Sequence, residues 1–295
     1  MPAPTPPVPE LHRRILDWFD VHRRALPWRD DPEPWRVMVS EFMLQQTPVG
    51  RVLPVFDAWL ERWPTPADLA ASPSGDAVRA WGRLGYPRRA LRLHAAATAI
   101  VERHDGRVPD TYEELLALPG VGDYTAAAIV SFAHGGRAVV LDTNVRRVFA
   151  RVVEGVQFPA AGVVRAERDL ATSLLPDEDA DAARWAIATM ELGALVCTAR
   201  APRCEECPVA DLCSWRAAGY PEHDGPPRRG QAWHGTDRQC RGRLMAVLRD
   251  AEGPVAPEVV AAAWSDAAQR ERCLDSLLDD GLLDLTADGR ITLPA

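Results

Sequence analysis

The sequence predicts an all-α protein that ends in a small winged-helix-like module. Three observations carry that class. Apolar residues recur at helical spacing in segment after segment, and nothing before residue 280 alternates with the period of a strand. At Leu118-Pro119-Gly120-Val121-Gly122 one helical pattern breaks and another restarts at once, the signature of a helix-hairpin-helix. Only beyond residue 280 do two short apolar runs flank a turn, Ala287-Asp288-Gly289.

In chain order, Met1 to Pro9 is a proline-rich tail. Leu11, Ile15, Trp18 and Phe19 define an amphipathic first helix, which Leu26-Pro27-Trp28 ends. A polar turn, Asp30 to Pro34, leads into a helix over Trp35 to Gln46, whose apolar face is Trp35, Met38, Val39 and Phe42. Helices are expected next over Val49 to Trp63, Gly75 to Leu84 and Arg88 to His104. Glu113 to Ala117 and Tyr124 to Ala133 are the two helices of the hairpin. An apolar run, Ala138 to Leu141, stops at Asp142-Thr143-Asn144 before the periodic Val145 to Phe149. Further helices are expected over Val163 to Leu175 and Ala182 to Leu195, followed by a cysteine cluster. Ala217 to Trp233, with Pro221, Pro226 and Pro227, reads as a linker. Arg238 to Leu248, Pro257 to Trp264 and Asp266 to Leu278 look helical, ahead of the hairpin runs Leu282 to Leu285 and Arg290 to Leu293.

A chain of 295 residues with 47% hydrophobic content buries a substantial core and divides into two or three domains. No apolar run is long enough to span a membrane and no charged-then-apolar leader is present, so the expected location is cytoplasmic. The net charge of -8 argues against indiscriminate polyanion binding. Placement matters more than the total, and arginines cluster at Arg83 to Arg92 and Arg146 to Arg151. No lysine occurs, so all 34 basic residues are arginine. A lysine Schiff base is therefore closed to this chain, and only the N-terminal amine could substitute.

The chemistry concentrates between Leu118 and Arg147. Two glycines in a short turn let a backbone ligand approach without a Cβ in the way, and the following helix opens with free N–H groups. Such a turn suits a phosphate, and it carries no base information. Asp142 leaves a buried run where a carboxylate could stabilise positive charge on a sugar, although aspartate is also a preferred helix cap. Cys197, Cys204, Cys207 and Cys213 have the spacing C-x6-C-x2-C-x5-C. An intracellular setting disfavours disulfides there, and four thiolates suit either zinc or an iron-sulfur cluster, with Arg200 and Arg203 placed to offset their charge. Cys240 and Cys273 lie outside the spacing and are most simply free thiols.

Taken together, SEFMLQQT (Ser40 to Thr47), WGRLGYPRRALRLH (Trp81 to His94), LPGVGDYTAAAI with LDTNVRRV, and the cysteine set resemble the helix-hairpin-helix superfamily of base-excision DNA glycosylases. The resemblance runs from Leu11 to Trp215 and is closest to the MutY-type adenine glycosylases. It implies a six-helix barrel with the helix-hairpin-helix over residues 29–136 and a helical iron-sulfur domain over 1–28 and 137–216. A linker over 217–233 and the winged-helix-like module over 234–295 would complete the chain. The four cysteines would hold a 4Fe-4S cluster.

The roles that the resemblance implies fall on Glu41 as the acid that protonates adenine at N7 and on Asp142 as the carboxylate facing the oxocarbenium-like sugar. Glu41 sits among Val39, Phe42 and Met43, where desolvation would raise its pKa. Tyr124 and Asn144 would support the pocket. Gln46 and Tyr86, with Leu44 and Thr47 beside them, would wedge into the duplex opposite the extruded base. Gly120, Val121 and Gly122 would bind phosphate, with a monovalent cation as a further ligand at that hairpin. The implied partner is double-stranded DNA bearing adenine opposite 8-oxoguanine or guanine, bound by a monomer associated with the nucleoid and not with a membrane. Related strand-cleaving members carry a lysine after the hairpin, where this chain has Asp123-Tyr124, so a monofunctional enzyme is expected.

Three departures stand out. Ile187 takes the place of a polar residue that reads adenine's edge, Pro87 replaces a second tyrosine, and no Nudix-like domain is recognisable in Ala217 to Ala295. Ile187 and the missing domain favour a rival reading as a thymine or uracil mismatch glycosylase, which SEFMLQQT disfavours. A non-catalytic iron-sulfur DNA-binding protein is a second rival, disfavoured by the retention of both Glu41 and Asp142.

Overall fold

The computed structural model describes residues 6–223, 225 and 233–295. Sixteen α-helices occur among them. They are α1 (Val8–His22), α2 (Pro27–Asp30), α3 (Pro34–Leu44), α4 (Val49–Arg62), α5 (Pro66–Ala70), α6 (Ser74–Trp81), α7 (Arg88–Arg103), α8 (Tyr112–Leu116) and α9 (Asp123–Phe132). Then come α10 (Thr143–Phe149), α11 (Arg165–Ser173), α12 (Asp179–Leu195), α13 (Ser214–Ala217), α14 (Asp237–Asp250), α15 (Pro257–Ala261) and α16 (Ala267–Asp279). The hairpin strands are β1 (Asp284–Leu285) and β2 (Ile291–Thr292), paired antiparallel. The all-α class is as the sequence predicts.

The chain divides into two compact units. The first is Met1–Val37, Asp110–Leu116 and Gly122–Pro227. Its core joins Leu11, Ile15, Trp18 and Phe19 of α1 to Val145, Val148 and Phe149 of α10 and to Trp185 and Leu192 of α12. The four apolar positions read from the first helix are thus all buried. A buried carboxylate ties this unit further. Glu191 accepts hydrogen bonds from Arg24 at 2.6 Å and Arg29 at 2.8 Å. Loss of water would raise its pKa, but the two guanidiniums outweigh that and hold it down to about 2.

The second unit is Met38–Pro109, Ala117–Val121 and Arg228–Ala295. Trp59 packs edge-on against Trp63 and Trp81, with ring centroids 4.6 and 5.6 Å apart. The C-terminal module belongs to this unit. Arg79 of α6 donates to the carbonyls of Leu248, Arg249 and Ala251, and the Gly75 N–H donates to the Pro294 carbonyl at 2.9 Å.

Several boundaries differ from those expected of the sequence. The proline-rich tail gives way to α1 at Val8, because proline is tolerated in a first helical turn. Helix α6 stops at Trp81 and not at Leu84, since Gly82 takes φ 54° and breaks the pattern. The hairpin strands are shorter than the runs Leu282 to Leu285 and Arg290 to Leu293: only Asp284 with Thr292 and Leu285 with Ile291 pair, while Leu282, Leu283 and Leu293 are buried in the core. Val255 adds a bridge to Ile291 that no sequence pattern signals. Much of the expected linker, residues 224 and 226–232, lies outside the described residues.

Candidate functional site

The first unit carries the aspartate. The run that ends at Leu141 turns sharply, and Asp142 becomes the N-cap of α10. Its Oδ1 accepts the Asn144 and Val145 N–H groups at 2.8 and 2.6 Å, and its Oδ2 accepts the Asn144 side-chain amide at 2.6 Å. The capping role and a chemical role are therefore compatible. Burial raises the pKa of this carboxyl and outweighs the lowering by these hydrogen bonds and by Arg147. The result is a desolvated carboxylate with a fixed orientation.

The helix beneath it is held closely. Gly193 of α12 faces Asn144 so tightly that a Cβ there would stand 2.7 Å from both the Cβ and the carbonyl oxygen of Asn144. Arg147 donates to the Asn144 side chain at 2.8 Å, to Gly193 O at 2.6 Å and to Cys197 O at 2.7 Å. One guanidinium thus links the aspartate's helix to the cysteine loop. After α10 the chain widens into a π-helical turn, Ala150–Glu154, a feature often found at functional sites.

That turn presents Arg151 to the cysteines. Cys197, Cys204, Cys207 and Cys213 line one cavity with Arg151, Trp215 and Arg216. The Arg151 guanidinium lies 3.4 Å from the Cys197 sulfur, and the Cys213 sulfur lies 3.4 Å from the Arg151 carbonyl. Burial first, and the neighbouring cysteines with it, push the Cys207 thiol up to about 12. Four thiolates gathered here require a cationic partner, which the iron core of a cluster supplies. The donor set fits that group. Arg151 and Arg216 line the cavity, while Arg203, beside Cys204, donates to Leu195 O and pairs with Glu206 at 2.9 Å.

Tyr124 lines an open cleft in the same unit with Tyr112, Asp123, Arg137, Leu141 and Arg168. At its edge Asp123 accepts from Tyr112 at 3.1 Å and from Arg168 at 2.8 Å, a trio that no sequence pattern singles out. Ile187 is half-buried and packs against the unit's apolar core, so its hydrocarbon has a structural use.

The second unit carries Glu41, which lies within α3 and is only 5% exposed among fully buried Phe42 and Met43. Helix α3 ends at Leu44, which is half-buried, and the chain then turns through Gln46. Gln46 has φ 56° and Tyr86 φ 48°, left-handed backbone that non-glycine residues seldom adopt. Both side chains are exposed. Each such conformation costs on the order of 1 kcal/mol or more and persists where the surroundings enforce it.

Arg89 does the enforcing. Buried on α7, it donates from Nη1 to the carbonyls of Phe42, Met43 and Gln45 at 2.8, 3.0 and 2.6 Å. Its Nη2 donates to Thr47 Oγ1 and to Gly85 O, both at 3.0 Å. Thr47 is buried, and its hydroxyl donates a hydrogen bond to Leu84 O at 3.2 Å. Desolvation lowers the Arg89 pKa to about 10, which leaves it charged at neutral pH. Sequence reasoning misses this residue; its one signal is membership of the arginine cluster at Arg83 to Arg92.

In the hairpin turn, Gly120 has φ 77°, and a Cβ on it would meet Arg92 Cβ at 2.6 Å, so packing and backbone both require glycine. Gly122 differs. It is exposed, has nothing within 4 Å of a would-be Cβ, and precedes α9, which leaves open space before the helix N-terminus. Val121 between them is buried.

Residues 39–168 match the HhH-GPD superfamily of base excision DNA repair proteins, and residues 197–213 match the iron-sulfur binding domain of endonuclease III. The chain is 52% identical to an adenine DNA glycosylase of Mycobacterium tuberculosis, covering 99% of this chain and 96% of that protein. It is 50% identical to one from Mycolicibacterium smegmatis, covering 95% and 94%. Both alignments run into the C-terminal module. Among solved structures, a thermostable thymine-DNA glycosylase superposes with a TM-score of 0.63 at 27% identity, covering 72% of this chain and 97% of that one. The chain accordingly carries a 4Fe-4S cluster in the segment over residues 197–213, which holds Cys197, Cys204, Cys207 and Cys213. The chain belongs to the HhH-GPD superfamily of base excision DNA repair glycosylases, within the branch that holds the adenine DNA glycosylases.

Proposed function

We propose that the protein is a monofunctional DNA glycosylase that hydrolyses the N-glycosidic bond of adenine mispaired with 8-oxoguanine or guanine and leaves an abasic site. The observation that carries this reading is the near-full-length likeness to adenine DNA glycosylases in a chain that keeps both Glu41 and Asp142. Double-stranded DNA is the substrate. In this reading Glu41 delivers a proton to adenine N7 and converts the base into a neutral leaving group. Asp142 stabilises the oxocarbenium-like sugar, a task suited to a carboxylate held in one orientation by the Asn144 and Val145 N–H groups. Asn144 orients Asp142, Tyr124 lines the base's approach, and water completes the substitution.

Gln46 and Tyr86 fill the gap left by extrusion, assisted by Leu44 and by Thr47, which holds the loop through Arg89. Gly120, Val121 and Gly122 grip a backbone phosphate, and a monovalent cation fits the same reading of that turn. The absence of lysine supports hydrolysis without strand cleavage. A second reading, a thymine or uracil mismatch glycosylase, draws on Ile187 and on the likeness to a thymine-DNA glycosylase.

The test is single-turnover base release by the monomeric protein from matched duplexes with A opposite 8-oxoguanine, A opposite G, T opposite G and U opposite G. Release of adenine that disappears in Glu41→Gln is the expected outcome. Release of thymine or uracil in its place would move the chain to the second reading, and release of no base would sink the enzymatic one.

A further inference from the structure

We propose that the C-terminal module completes the DNA-reading surface, with Tyr86, Arg238 and Trp233 forming one stacking platform for the purine left unpaired when its partner is extruded. The proposal rests on the glycosylase reading and deepens it.

The geometry is direct. The Arg238 guanidinium lies 5.2 Å from the centre of the Tyr86 ring and 5.4 Å from the centre of the Trp233 ring, so one cation serves two aromatic faces. Both rings remain open to solvent, Tyr86 at 44% and Trp233 at 46%. An exposed aromatic, guanidinium, aromatic series is unusual on a surface that merely faces water, because large apolar rings gain by burial. It matches the chemistry that holds unpaired nucleobases, whose π-faces stack on aromatic rings and on guanidinium planes alike. Purines offer the larger face.

Two further observations fix the platform in place. Tyr86 is held at φ 48° by the loop that Arg89 anchors, so its ring is presented from a strained and determined backbone. The module that brings Arg238 and Trp233 is fastened at separate points: Gly75 N–H to Pro294 O at 2.9 Å, Ser74 Oγ to Ala295 O at 3.2 Å, and Arg88 to Asp280 at 3.0 Å. A Cβ on Gly75 would fall 2.3 Å from Pro294 O, which shows how close the chain end approaches α6. Exposed Arg51 and Arg83, joined by a hydrogen bond from the Arg51 guanidinium to the Arg83 carbonyl, add positive charge on the same unit for a phosphate backbone. The extruded base leaves the helix. Its former partner stays, and the platform gives that partner a surface to stack on.

The experiment uses the full chain with its cluster. Wild type, Arg238→Ala, Trp233→Ala and Arg238→Lys are compared on adenine opposite 8-oxoguanine and on adenine opposite a stable abasic analogue, by single-turnover release and by binding to uncleavable versions. Loss of a stacked base costs about 10-fold or more, so both alanine variants should lose that much with the purine present and little with the abasic analogue. Arg238→Lys keeps the charge without the planar stack and should follow the alanine variant. Equal losses on both duplexes would mark a merely structural role, and no loss on either would leave the platform without function; each result overturns the proposal. Should wild type release adenine from neither duplex, the glycosylase reading fails, while the binding contrast still decides the platform.

Discussion

Asp142 is pulled in two directions. Its capping hydrogen bonds favour the carboxylate, whereas its burial favours the neutral acid, and burial wins. A carboxyl with a raised folded pKa contributes stability that is present below its ordinary value near 3.8 and lost as pH rises through the folded value. At neutral pH the charge therefore works against the fold. Asp142→Asn keeps an oxygen for the Asn144 and Val145 N–H groups and removes that charge, at the cost of the bond that Oδ2 accepts from the Asn144 side-chain amide. Its unfolding midpoint relative to wild type should rise from pH 4 to pH 7, while DNA affinity persists and base release disappears. A relative midpoint that stays constant or falls between pH 4 and pH 7 would refute the desolvation argument. At this scale the sequence was informative about identity and silent about posture. Glu41, Asp142, Gln46 and Tyr86 stood out by motif. The left-handed backbone of the last two, and the buried Arg89 that enforces it, depend on hydrogen bonds between segments that no local pattern encodes.

Between elements, the contact that positions Asp142 is that of α10 with α12, and Gly193 makes it possible. Gly193→Ala would force the helices apart against the Asn144 backbone, which has no flexible tip to move aside. We expect destabilisation of about 2 kcal/mol from overpacking and a fall in base release of roughly 10-fold or more from misplacement of the carboxylate. Gly50→Ala on α4, where nothing lies within 4 Å, is the control and should be neutral or stabilising. Thermal unfolding together with single-turnover rates checks both, and equal behaviour of the two variants would remove the argument. The helices themselves were legible because period and capping are local. Their close approaches were not: Gly193 sits inside an ordinary apolar helix and looks like any small residue.

For the molecule as a whole, the cysteine segment that carries the cluster forms one end of a continuous chain of hydrogen bonds. Arg151 reaches the Cys197 sulfur, Arg147 reaches the Cys197 carbonyl, and Arg147 also holds Asn144 beside Asp142. The purified protein should contain iron and no zinc. Stripping the iron should lower the unfolding temperature and slow base release, and Arg147→Met should slow release while the iron stays bound. Iron analysis beside rate measurements separates these effects; full activity after complete iron loss would break the proposed link. The cysteine spacing and the order of three helices and a hairpin at the end were plain in the sequence. Arg238 beside Tyr86 was not, since nothing in either segment names the other. The left-handed turns at Gln46 and Tyr86 carry one more implication. Glycine would relax the backbone at either place, so a laboratory selection for heat resistance alone would drift toward Gln46→Gly and Tyr86→Gly, returning a sturdier protein whose probe had been blunted.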